Sequence, residues 1–119
     1  MAEHWDLDSP SPIEESYEPP VLDADPDLIA DLRAAIALAE DVHEAWLVAK
    51  RVVWGEREKV GLGVVAHVGG QWRARRQIRE LGEALRPFVG PPFPSRLMWT
   101  SLGNATVPNK VRAVGTRLG

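Results

Sequence analysis

Two β-rich runs joined by one short polar turn dominate residues 42–68. The first reads Val42-His43-Glu44-Ala45-Trp46-Leu47-Val48-Ala49-Lys50-Arg51-Val52-Val53-Trp54, and the turn Gly55-Glu56-Arg57-Glu58. The second reads Lys59-Val60-Gly61-Leu62-Gly63-Val64-Val65-Ala66-His67-Val68. Valine and tryptophan at this density favour extended backbone, and a glycine-led polar turn between two such runs signals a hairpin. Val60, Leu62, Val64, Ala66 and Val68 recur at period two and so share one face. A four-residue loop over 55–58 pairs Trp54 with Lys59. In that register Ala45, Leu47, Ala49 and Val53 join the face of Val60, Leu62, Val64 and Ala66. The other face carries Trp46, Val48, Val52, Trp54 and Val65, with gaps at Gly61 and Gly63. It is too apolar for open solvent and calls for a further cover, a docked tail or a dimer partner. A slip of one residue would exchange the two faces.

The flanking sequence supplies helices. Asp25-Pro26-Asp27 is a helix start, with Asp25 as cap, Pro26 in the first turn and Asp27 against the positive end of the dipole. Leu28, Leu32, Ala35 and Ala39 then recur at helical spacing, which predicts a helix over about 26–40. A second helix is predicted over about 71–88, with Ala74, Ile78, Leu81, Leu85 and Phe88 as its buried stripe. Pro87 and the run Gly90-Pro91-Pro92-Phe93-Pro94 end it and force an extended connection. Residues 97–102 read as a third strand. Val107-Pro108 is a possible start for a short helix docked by Val111, Ala113 and Val114, with fraying expected after Gly115.

The order is α-β-β-α-β. With the first strand between the other two, all neighbours are antiparallel and both helices cover one face. The expected fold class is therefore α+β, a two-layer sandwich with a three-stranded, mostly antiparallel sheet. One such domain is expected over 25–119. Residues 1–24, with four prolines among acids and serines, are expected to be a disordered acidic tail.

Charge is divided unevenly. The first 27 residues hold nine acids and no Lys or Arg, which leaves eight acids against all fourteen bases and a net of +6 in the remainder. An acidic tail on a basic body can screen a binding surface, and it is also the ordinary composition of a solvated tail. There is no cysteine, which excludes disulfides and thiolate chemistry. No basic, apolar leader opens the chain, and no apolar run approaches the roughly 20 residues that span a bilayer. A cytoplasmic protein is expected.

The helix leading into Val42-His43-Glu44-Ala45-Trp46-Leu47-Val48, the following Leu62-Gly63-Val64-Val65, the helix around Ile78 and Leu85 and the last strand resemble the C-terminal domain of the SseB (enhanced serine sensitivity) proteins. Glu44-Ala45-Trp46-Leu47 matches best, and the resemblance covers about 26–119. It implies the α+β fold and a non-enzymatic interaction module, and it carries over no catalytic residue. The N-terminal domain of that family has no counterpart here.

Chemistry is sparse. His43 and His67 bracket the hairpin but fall on opposite sides in the expected register, so neither metal nor cofactor is expected. Ser95 and Ser101 lack a nucleophile elbow. Gly61-Leu62-Gly63 lies inside a strand, where glycines make room for tryptophan side chains or close backbone and do not form a dinucleotide loop. Gly69 and Gly70 precede an arginine-rich helix. Their free N–H groups, with Arg73, Arg75, Arg76 and Arg79, are a candidate anion site, and a solvated face balanced by Glu80 and Glu83 is the alternative. Arg86, Arg96, Lys110, Arg112 and Arg117 would extend this basic surface, although the overall pI of about 5.6 weighs against strong polyanion binding.

The first expectation is thus a small module that binds a protein partner or a second copy through Trp46, Val48, Val52, Trp54 and Val65. Nucleic acid bound by the arginine-rich helix, with the acidic tail as autoinhibitor, is the second. An enzyme acting on a small anion at Gly69-Gly70 is the third.

Overall fold

β2 (Val42–Trp54) and β3 (Arg57–Val68) form the long hairpin, in a computed structural model that describes residues 14–22, 25–69, 74–89 and 96–119. The turn is tighter than expected. Trp54 pairs with Arg57, not Lys59, so only Gly55 and Glu56 separate the paired residues. Gly55 has φ of 59°, and Glu56 is not among the residues with positive φ. A positive φ at the first turn position alone is the type II′ pattern, whose twist matches that of the flanking strands. The register moves by two residues, and a shift of two preserves parity. The two faces therefore keep the members expected of them.

Among the described residues the sheet has five strands. β1 (Glu14–Glu18) pairs antiparallel with β2, and β4 (Trp99–Gly103) pairs parallel with β3, giving the order β1-β2-β3-β4. β5 (Thr116–Arg117) pairs with β2 at Trp46 and Leu47, beyond the end of β1. The class is α+β, with a mixed sheet and, among the described residues, three α-helices and a short 3-10 helix over Arg86–Phe88. Two expectations are corrected. The first hairpin strand does not lie between the other two, and the sheet is not all antiparallel. The reason is competition for the edge of β2: β1 fills it along Ala49–Val53, and β5 fills it at Trp46 and Leu47. A strand returning through a helical crossover then has the edge of β3, and a crossover returns it parallel.

β1 also corrects the expected disordered tail over 14–18. Its glutamates meet bases on β2: Glu15 lies 2.9 Å from Lys50, and Glu18 lies 2.5 Å from Arg51. Residues 1–13 and 23–24 of that tail lie outside the described residues.

α1 (Leu28–Ala37) and α2 (Ala74–Leu85) pack on the first face of the sheet. Leu28, Leu32 and Ile36 from α1 and Leu81 and Leu85 from α2 are buried against Ala45, Leu47, Val64 and Ala66. At about 25 cal/mol per Å² of apolar surface removed from water, this layer is the main source of stability. Asp27, not Asp25, takes the cap position of α1, without a side-chain bond. The Asp25 carboxylate instead accepts from Arg96, whose guanidinium also lies 2.9 Å from Asp31. This clamp joins the start of α1 to the approach to β4.

α3 (Asn109–Val114) lies on the second face. Val107 and Val111 are buried there with Val48 and Val65, and Tyr17, Trp46, Trp99 and Val114 close the margin. The chain does not fray after Gly115. Leu118 donates its N–H to Ala45 O at 2.7 Å and is buried in the first core, and Ala45 N–H donates to Gly119 O at 3.0 Å.

Candidate functional site

The second face of the sheet is sealed by the chain itself. Val48, Val52 and Val65 are all at most 6% exposed, and Trp46 and Trp54 are half-buried. Of the expected interface of Trp46, Val48, Val52, Trp54 and Val65, the three valines thus lie inside a core and the two tryptophans keep some exposed surface. Met98 fills the space beside Gly61, and Trp99 fills that beside Gly63. The Trp99 ring lies over Gly63, where a Cβ would overlap it, and its indole N–H donates to Gly61 O at 2.9 Å.

The cover is locked by one buried carboxylate. Glu44, 9% exposed, accepts from Arg112 at 2.5 and 2.6 Å and from the Trp46 indole N–H at 2.8 Å. The Arg112 guanidinium and then the Trp46 indole hold its pKa down to about 2. Arg117 lies over the Trp46 ring at 6.0 Å, and Lys110 over Tyr17 at 5.3 Å. Glu44 interrupts an apolar run on the second-face parity, a visible signal that this side needed a buried cation.

Of the expected anion site, Gly69, Arg75, Arg76 and Arg79 are among the described residues. Gly69 N–H donates to Asp41 O at 2.7 Å, so it is not free, and Gly69 O bonds to His43 Nε2 at 3.0 Å. Gly70 and Arg73 lie outside the described residues. Arg75, Arg76 and Arg79 are exposed on α2, where Arg76 pairs with Glu80 at 2.9 Å. Arg75 and Arg79 form no ion pair among the described residues. Of the residues expected to extend the basic surface, Arg96 and Arg112 pair with Asp25 and Glu44, and Lys110 and Arg117 lie over the rings of Tyr17 and Trp46. Glu14–Glu18 docks on β2 and does not screen α2.

The histidines are closer than the expected register allowed. A bulge between Val42 and Glu44 adds His43 to β2 as an extra residue. Its ring centroid then lies 4.6 Å from that of His67. Among the described residues no three His, Asp or Glu side chains are grouped to hold a metal.

One sheet edge has no partner strand among the described residues. Met98 N–H donates to Leu62 O at 2.8 Å, and Leu97 N–H points the other way, to Phe88 O at 2.9 Å. Alternation along the strand then turns the backbone of Thr100 and Leu102 toward β3 and that of Trp99, Ser101 and Gly103 outward. Val89 bridges Leu97 and covers the edge below Trp99. No strand pairs with the outer side of β4 among the described residues. Its sequence, Trp-Thr-Ser-Leu-Gly, carries no charge and no proline, whereas β1 at the opposite edge carries three glutamates. Charges and prolines are the usual protection of an edge.

α2 flanks this edge. Arg75, Arg79 and Gly82 fall on one stripe at spacings of four and three. A Cβ on Gly82 would lie 3.8 Å from Leu102 Cδ1, so the stripe is the flank turned to β4. Neither the open edge nor the stripe was singled out from sequence, although the uncharged stretch 99–103 was a readable signal. Family models, curated proteins and solved structures show no match to this chain.

Proposed function

We propose that this chain is a non-enzymatic interaction module that accepts an extended segment of a partner protein as an added strand on β4. The outer edge of β4, uncharged and unpaired among the described residues, carries this reading. Strand addition takes affinity from main-chain hydrogen bonds and specificity from alternate side chains. Here the outward backbone groups of Ser101 and Gly103 supply the former. The resemblance to the C-terminal domain of the SseB proteins is in keeping with a binding role.

The test is a random-peptide display selection on the full chain, repeated on a Ser101→Pro variant. Proline at Ser101 removes an outward N–H and leaves the pairing with β3 in place. Selected peptides should bind the parent, slow amide exchange at Ser101 and Gly103, and fail on Ser101→Pro at unchanged melting temperature. Equal binding to the variant, or amides already slow in the free chain, would overturn the reading.

A further inference from the structure

We infer that the added segment is acidic at alternate positions, read by Arg75 and Arg79 from the flank of α2. This inference rests on strand addition at β4 and specifies its partner. Side chains of an added strand alternate between the two faces of the sheet, so every second one points to the α2 side. Along that strand such residues repeat at about 6.6 Å. Arg75 and Arg79, four residues apart on one helix, repeat at about 6 Å. The two periods match closely enough for two successive carboxylates to meet two successive guanidiniums. Both arginines are exposed and form no ion pair among the described residues, while Arg76 and Arg86 have Glu80 and Glu83 within 4 Å. Gly82, next on the stripe, has no side chain to obstruct the space beside Leu102.

The same charges disfavour a second copy of this chain at the edge. Antiparallel pairing of β4 with its own copy sets α2 beside α2 on the same face. The arginine stripes would then oppose each other at short range, a repulsion that an acidic segment converts to attraction. A polyanion such as single-stranded nucleic acid shares the charge but not the main-chain donors and acceptors that Ser101 and Gly103 require.

Three blocked octapeptides serve as probes: alternating valine with glutamate, valine with threonine, and valine with lysine. Each is titrated into the isotopically labelled full chain at low and at moderate salt, beside a single-stranded oligothymidylate. The glutamate peptide should bind roughly two- to thirtyfold tighter than the threonine peptide, the effect of two exposed ion pairs. The advantage should shrink with salt. A folded R75E/R79E variant should reverse the order in favour of the lysine peptide, with the Ser101 and Gly103 amides still shifting. If the glutamate and threonine peptides bind equally through those amides, the acidic inference fails and strand addition stands. If glutamate peptide or oligothymidylate shifts α2 alone and leaves β4 unmoved, strand addition itself fails. Binding by none of the probes overturns both.

Discussion

Glu44 shows how a single residue decides what a face of the sheet can do. A carboxylate on an otherwise apolar strand would be costly without a partner, and Arg112 supplies one from sixty-eight residues away. Because its pKa is held down to about 2 from an ordinary 4.5, Glu44 favours the folded state fully above pH 4.5. That contribution is lost as pH falls from 4.5 toward 2. Asp25, held low by Arg96, and Glu18, held low by Arg51, act in the same direction. Melting followed against pH should therefore fall through this window, and Glu44→Gln should lower the midpoint at pH 7 and flatten the acid limb. An equally steep limb in the variant would assign the acid loss to other groups. Gly63 is the second decisive residue, since a Cβ there overlaps the Trp99 ring. Gly63→Ala should cost about 1–3 kcal/mol of overpacking, seen as a lower denaturant midpoint. The role of the strand glycines was legible in the sequence, because glycine within a β-run implies a close neighbour. Which tryptophan would fill the gap was not, because that depends on the strand order.

At the scale of elements, the hairpin and the apolar stripes of both long helices were readable from periodicity alone. The turn was not, because Gly55 supports either a two- or a four-residue loop and both conserve the two faces. β1 was missed for a different reason. Its glutamates oppose a packed core by composition, and only Lys50 and Arg51 on the neighbouring strand make them useful. Removing residues 1–22 should then do more than shorten a tail. It strips the partner from Ala49–Val53 on β2, and an unprotected edge promotes association. The truncated chain should melt several degrees lower and scatter light at concentrations where the full chain does not. Unchanged melting would mean that β1 adds nothing to the body.

For the whole molecule, β2 is the organising strand, contacted by β1, β3 and β5 on its edges and by α3 on its second face. Segments far apart in the chain thus depend on one strand. Unfolding should be a single transition, with near-ultraviolet and far-ultraviolet circular dichroism coincident against denaturant. A separate early loss of the near-ultraviolet signal would show that α3 and the second face come apart first. The sequence order of helices and strands could not reveal this arrangement, because two partners of β2, β1 and β5, arise in segments that read as tail and frayed end. Trp99 occupies a particular place in it. It belongs to the strand with the open edge, yet its indole is buried halfway in the sealed face, bonded to Gly61 and 6.4 Å from Tyr17. A strand laid along Ser101 would tighten the backbone that carries this ring without touching the ring itself. The protein therefore contains its own optical reporter: occupancy of the edge should be readable as a change in tryptophan emission that disappears in Trp99→Phe, with no label attached.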